Sequence, residues 1–403
     1  MPTDNNTWAD TARLGSRRSM LKTKSLYLLI ILTLITGRAL ATPSVSSVSG
    51  TVSHGSSITI SGSGFGTKTT AGPALYDNFD NGAAGNTICN GAGAGVAPQI
   101  YQGVLSSYNK WVMDGGGEYS GQSIVYNATD PIRTGSLHGR TSISSSACWG
   151  TNFYVPLSSW FTSTGSELYV SFLLRYTMSS FTPRQFKAFI GYDSSWNDMW
   201  YMSTAFGSSC EGSTAWRLHV TQTSSEDYFD IGGNNIYGEW VRVESYIKQS
   251  GADTSDGVWK GYLHRPTLST PIIEAHENTD IKLRTSSTNT SKLTLGAAYY
   301  SMCNGTQTAT FDVDEIYIDS TPARVEIGNA STWAACTKRT IQRPTAWSDT
   351  SITATVDLTS LGSSGAAYLY VVDGSNNVSA GKLITLGGTD TGSGCIISGC
   401  TIR

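Results

Sequence analysis

Between residues 184 and 219 the chain interleaves cations, amides and aromatic rings: Arg184, Gln185, Lys187, Tyr192, Trp196, Trp200, Tyr201, Trp216, Arg217 and His219. Flat aromatic faces stack on the C–H faces of sugar rings, while Arg, Lys and Gln donate to hydroxyls or carboxylates. The same stretch holds the groups that a β-elimination needs. A cation or amide must neutralise a carboxylate, and a base such as Tyr or His must take the proton beside it. Lys187, His219 and Tyr201 are the catalytic candidates. The ligand-binding set is Arg184, Gln185, Lys187, Tyr192, Trp196, Trp200, Tyr201, Arg217 and His219. Strand alternation places Gln185, Lys187, Phe189 and Gly191 on one face, and sets His219 with Arg217 opposite Trp216, Leu218 and Val220. The competing expectation is that several of these aromatics simply fill a core.

The elements that must position these residues are strands. Glu167 to Tyr176 alternates, with Leu168, Val170, Phe172 and Leu174 inward. Further short strands follow at Arg184–Tyr192, Met199–Ser203, Trp216–Thr221, Tyr228–Ile231, Leu293–Tyr299 and Ala309–Asp319, with no helical period. The stretch from Asn235 to Arg265 reads as a hairpin. Val241, Val243 and Ile247 face inward, and Arg242, Glu244, Tyr246 and Lys248 line a solvated convex face. Spacing of this kind predicts an all-β antiparallel sandwich.

Three segments carry a resemblance. The block opens with LYDNFDNG, closes with FDVDEIYID, and holds Trp240-x-Arg242-x-Glu244-x-Tyr246-x-Lys248 between them. This pattern resembles the concanavalin A-like jelly-roll domains, which include lectins, laminarinase-like hydrolases and several polysaccharide lyases. The resemblance implies a carbohydrate-related role by fold analogy only. The motifs R-x-E-x-R, Q-x-H and Y-x-K-x-G-x-Y of one alginate lyase family are incomplete here. Arg242-Val-Glu244 lacks the second Arg, and Tyr246-Ile-Lys248 lacks the following Gly and Tyr. The hydrolase pattern E-x-D-x-x-E finds only Asp312-Val-Asp314-Glu315, which begins with Asp and lacks the final Glu. A better use for acids is a structural calcium. Asp77 and Asp80 open the block, Asp312 and Asp314 close it, and first and last strands of jelly rolls often adjoin. The resemblance adds weight to that ligand set.

The flanks resemble a second family. Gly55 to Gly66 (GSSITISGSGFG), then Trp347 to Val356 and Tyr368 to Leu386, follow the order of an IPT/TIG domain, a small immunoglobulin-like sandwich. The domain expectation is therefore a signal segment at 1–41, a split IPT/TIG domain at 42–73 plus 321–388, a jelly-roll domain at 74–320 and a flexible tail at 389–403. Insertion at a loop tip makes that topology feasible.

With 14% charged residues and a net charge of −3, neither a nucleic-acid footprint nor a polybasic membrane patch is expected. The apolar run Leu26–Ile35, preceded by Lys22 and Lys24 and followed by Ala39-Leu40-Ala41, has the parts of a secretory signal peptide. It is too short to span a membrane. Ser16 to Lys22 resembles a twin-arginine export motif, with a start at Met20 as the alternative. Both lead outside the cytoplasm, where disulfides are the default. Cys395 and Cys400 are expected to close a tail loop, Cys89–Cys148 and Cys210–Cys303 to pair, and Cys336 to be odd. The reading is an exported or cell-surface protein that binds a polysaccharide or glycoconjugate on the jelly roll's concave face. A polysaccharide lyase acting on uronate glycans is one alternative. A structural or adhesive surface protein, making chain–chain contacts through the TIG module or the Cys tail, is the other.

Overall fold

The computed structural model describes residues 42–113, 123–129, 137–143, 152–178, 185–204, 216–221, 227–232, 238–265, 272–300 and 309–391. The signal segment, Cys148, Cys210, Cys303, Cys395 and Cys400 lie outside them. Among the described residues there are strands, turns and short 3-10 segments but no α-helix, and no helix is long and apolar enough to cross a membrane. The strands form antiparallel sheets of ten, seven and eight members.

The ten- and seven-stranded sheets face each other across the larger core. From the first come Leu168, Val170, Phe172, Leu174, Val241, Val243, Ile247 and Trp259; from the second come Phe189, Trp200, Met202, Leu218, Leu293 and Leu295. The alternation of Glu167–Met178 therefore does point Leu168, Val170, Phe172 and Leu174 inward. Each fully buried side chain of this size contributes about 1.5–3 kcal/mol relative to exposure.

The expectation of a solvated opposite face is overturned. Tyr169, Ser171, Arg242, Glu244 and Tyr246 are all buried. The reason is a second layer of chain. Strands Ser44–Thr51 and Ser57–Ser63 join Arg324–Gly328, Arg339–Trp347, Ser351–Thr355, Gly365–Val372, Lys382–Leu386 and Thr389–Thr391 in the eight-stranded sheet. Ile58 pairs with Ala354 and Ser49 with Thr391, so the two ends of the described chain share one sheet. That sheet curls around its own core of Val48, Ile60, Val325, Ile327, Ile352, Leu369 and Val371. Its remaining face meets the ten-stranded sheet through Tyr76, Tyr169, Tyr246, Tyr317 and Ile341.

Charges satisfy one another at this seam. Glu244 accepts from the Tyr169 hydroxyl at 2.7 Å and from Arg339 at 2.7 Å. Glu326 accepts from Arg324 at 2.6 Å and also from Arg339, while Arg242 donates to Glu315 at 2.6 Å. Three arginines thus face three glutamates, the balance that buried ions require. Burial alone would raise the Glu244 carboxyl, but Arg339, Arg324 and Arg242 outweigh it and hold the group well below the usual carboxylate range. Lys68 closes the seam on Asp319 at 2.6 Å. His264 donates its Nε2 hydrogen to the Cys336 carbonyl at 2.7 Å, which fixes the neutral tautomer.

Candidate functional site

The outer face of the seven-stranded sheet carries the polar cluster. The strands Gln185–Tyr192, Asp198–Thr204 and Trp216–Val220 lie side by side, with Ile190 opposite Tyr201 and Tyr201 opposite His219. Simple alternation would send Lys187 into the core with Phe189, and Asp198 inward with Trp200. Two extra residues prevent this. The register slips between Lys187 and Phe189 and again between Gly191 and Tyr192. Ala188 and Phe189 both enter the core, as do Met199 and Trp200. Each bulge turns the residue before its pair to the opposite face, a recurrent way of re-aiming a side chain. Lys187 and Asp198 therefore emerge beside Tyr201 and His219.

The contacts are direct. The Lys187 ammonium pairs with the Asp198 carboxylate and lies 4.1 Å from the centre of the Tyr201 ring. The Tyr201 hydroxyl hydrogen-bonds His219 Nδ1, with the two rings edge to face at 4.5 Å. Lys187, Tyr201 and His219 are all buried. Tyr201 packs with Ile190 and Tyr192 in a small apolar patch.

Tyr192 leads to the rim. Its ring meets Trp196 at 5.4 Å, and Tyr154 approaches the same indole at 5.9 Å. Trp196 is 44% exposed and has φ 65°, in a turn where the Asp193 carboxylate accepts the backbone N–H groups of Ser195 and Asn197. A tryptophan in the left-handed region is strained, and the hydrogen bonds of this turn to Asp193 hold it there. The Lys292 ammonium sits 3.6 Å over it.

Of the expected ligand set, Lys187, Tyr192, Trp196, Tyr201 and His219 come together. Trp200 does not. It is fully buried in the core, donates to the Thr290 hydroxyl at 2.9 Å and packs edge-on against Phe189 and Trp259. Arg184 lies outside the described residues, and Gln185 and Arg217 are described only as strand positions. Sequence reasoning missed Asp198, Tyr154 and Lys292. Asp198 was hidden by the bulge, and Tyr154 and Lys292 come from strands that sequence spacing does not link to the hairpin.

The acids expected to hold calcium occupy networks of their own. Asp312 accepts from Arg140 at 2.6 and 2.9 Å and from Arg175 at 2.7 Å, with His138 Nε2 at 3.1 Å. Burial opposes ionisation of Asp312, but these partners prevail and hold it well below the usual range. Asp77 accepts from the Trp111 indole at 2.6 Å and from the Phe79 amide at 2.9 Å, and burial lifts it to about 6. Asp80 accepts from the Asn78 amide, and Asp314 from the amide of Glu315. Among the described residues no group of three or more His, Cys, Asp or Glu is placed to hold a metal ion. Donors crowding Asp312 do not fit a calcium cage. Cys89 and Cys336 are free, buried thiols, and Cys148, the expected partner of Cys89, lies outside the described residues.

No protein-family model matches the sequence, and no curated protein sequence matches it. Among solved structures, an endo-β-1,4-glucuronan lyase from Trichoderma reesei is similar at 11% identity and TM-score 0.39, over 52% of this chain and 91% of that one. The alginate lyase Aly36B is similar at 14% identity and TM-score 0.39, over 62% of this chain and 98% of that one. A botulinum neurotoxin type C structure, described through its interaction with two ganglioside molecules, is similar at 13% identity and TM-score 0.37; the match covers 62% of this chain and 48% of the toxin chain.

Proposed function

We propose that the outer face of the seven-stranded sheet binds a polysaccharide outside the cytoplasm. The observation that carries this reading is the continuous strip His219–Tyr201–Ile190–Tyr192–Trp196, which runs from polar groups to an exposed indole. A sugar ring stacks on Trp196, the exposed end of the strip, and the next unit reaches Lys187, Tyr201 and His219 by displacing the chain that buries them. Lys187 has three donors and only one is needed for Asp198. Retention of the protein on a panel of neutral and uronate polysaccharides tests this. Loss of retention in Trp196→Ala supports it, and unchanged retention sinks it.

A second reading, β-elimination on a uronate glycan, is favoured by the Tyr201–His219 hydrogen bond beside a cation. Tyr201 passes its proton to His219 and takes the proton from the carbon next to the substrate carboxylate. The released electron pair closes a carbon–carbon double bond, the glycosidic C–O bond breaks, and His219 returns a proton to the leaving oxygen. Lys187 neutralises the carboxylate while this happens. Appearance of ultraviolet-absorbing unsaturated ends separates a lyase from a pure binder. The shared sheet of Ser44–Ser63 with Arg339–Thr391 supports reading these segments as one split immunoglobulin-like module.

A further inference from the structure

Away from that face, a crevice of about 460 Å³ opens where the loop after Ser63 crosses between the two sandwiches. Thr70, Ile100, Gln102, Arg343, Thr345 and Thr355 line it. Arg343 is its one ionisable group. The arginines of the neighbouring seam, Arg242, Arg324 and Arg339, each meet a glutamate. Arg343 has no such partner among the described residues. Its guanidinium lies 5.1 Å above the Tyr76 ring, and its Nε is buried with no hydrogen-bond partner. A half-buried guanidinium whose Nε lacks an acceptor gains from a ligand that supplies both the acceptor and the counter-charge.

The rest of the lining narrows what that something is. Three threonines and the Gln102 side chain share the lining with the cation; the Thr345 hydroxyl donates to the Thr353 carbonyl at 3.4 Å, and the Gln102 amide is fixed by its donation to the Pro73 carbonyl at 2.9 Å. Such a wall suits a ligand that carries several hydroxyls. Arg343 suits a planar carboxylate, which it can grip with two parallel N–H donors. The volume falls in the range of small-ligand clefts. We infer that this crevice is a second site, which takes a hydroxylated carboxylate the size of one sugar acid. The inference does not rest on the outer-face reading.

Calorimetric titration of the full chain with glucuronate, and with glucose as the uncharged ring of equal size, tests it. Saturable glucuronate binding with glucose at least tenfold weaker is expected, and Arg343→Gln should weaken glucuronate at least tenfold. Because Arg343→Gln can disturb the seam, Thr345→Trp gives a second check: Thr345 is exposed, and an indole there should fill the mouth and block binding in a protein of unchanged melting temperature. Equal binding of glucuronate and glucose overturns the inference, as does glucuronate binding that survives both variants. Loss of glucuronate binding in Trp196→Ala with Arg343→Gln unaffected also overturns it, because the signal then belongs to the outer face. A glucuronate oligomer that binds more tightly than the monomer, with the same loss in Arg343→Gln, identifies the ligand as a chain end; equal affinities identify a free sugar acid.

Discussion

The phenol of Tyr201 and the imidazole of His219 hold one proton between them, and Lys187 lies over the same phenol. If the site eliminates, Tyr201→Phe removes the proton and keeps the ring. Unsaturated-product formation should then fall about 10²- to 10⁴-fold while glycan retention stays within a few-fold. A second residue-scale effect concerns pH. Burial, with Arg339 and Arg242 nearby, lowers His264 from 6.5 to about 3. The unfolded chain therefore takes the proton first as the medium becomes acid. The stability tied to neutral His264 is present above 6.5 and is lost toward pH 3, at about 1.4 kcal/mol per pH unit. Asp77, raised to about 6 from 3.8, acts in the opposite sense and favours the fold as pH drops through 6. Urea midpoints followed from pH 6.5 down to 4.5 should therefore fall less steeply in His264→Gln and more steeply in Asp77→Asn.

At the scale of elements, the site depends on two bulges in one hairpin. Strand identity was legible because β-branched and aromatic residues alternate over short runs between turns. The facing of Lys187 and Asp198 was not, since one inserted residue reverses every side chain beyond it. Trp200 needs no slip to reach the core: next to Tyr201 on the same strand, it faces the opposite way by plain alternation. Gly191 belongs to the same device. A Cβ there would lie 2.3 Å from the Trp200 ring, so the glycine lets the indole lie flat on the strand. Gly191→Ala should cost about 1–3 kcal/mol in chemical denaturation. It should also reduce retention on a bound glycan, because displaced Trp200 moves the strand that carries Tyr201.

At the scale of the whole molecule, the second sandwich covers the face that periodicity assigned to water. The pattern Arg242, Glu244, Tyr246 is the same for a solvated face and for one whose charges are matched by another layer. Only the partners Arg324, Glu326 and Arg339, 80 to 95 positions beyond Glu244, tell them apart. Glu244→Gln should leave the arginines under-compensated and cost about 3–5 kcal/mol. Because the seam couples the layers, the described chain should unfold in a single calorimetric transition, and a variant weakened at Glu244 should separate it into two. The proposed polysaccharide-binding face is the outer face of the seven-stranded sheet. Its most direct measurement is retention of the wild type, Trp196→Ala and Lys187→Ala on immobilised neutral and uronate polysaccharides at matched stability. At least one glycan should retain the wild type, and both variants should lose most of that retention. No retention on any glycan, or retention that neither variant alters, would contradict it.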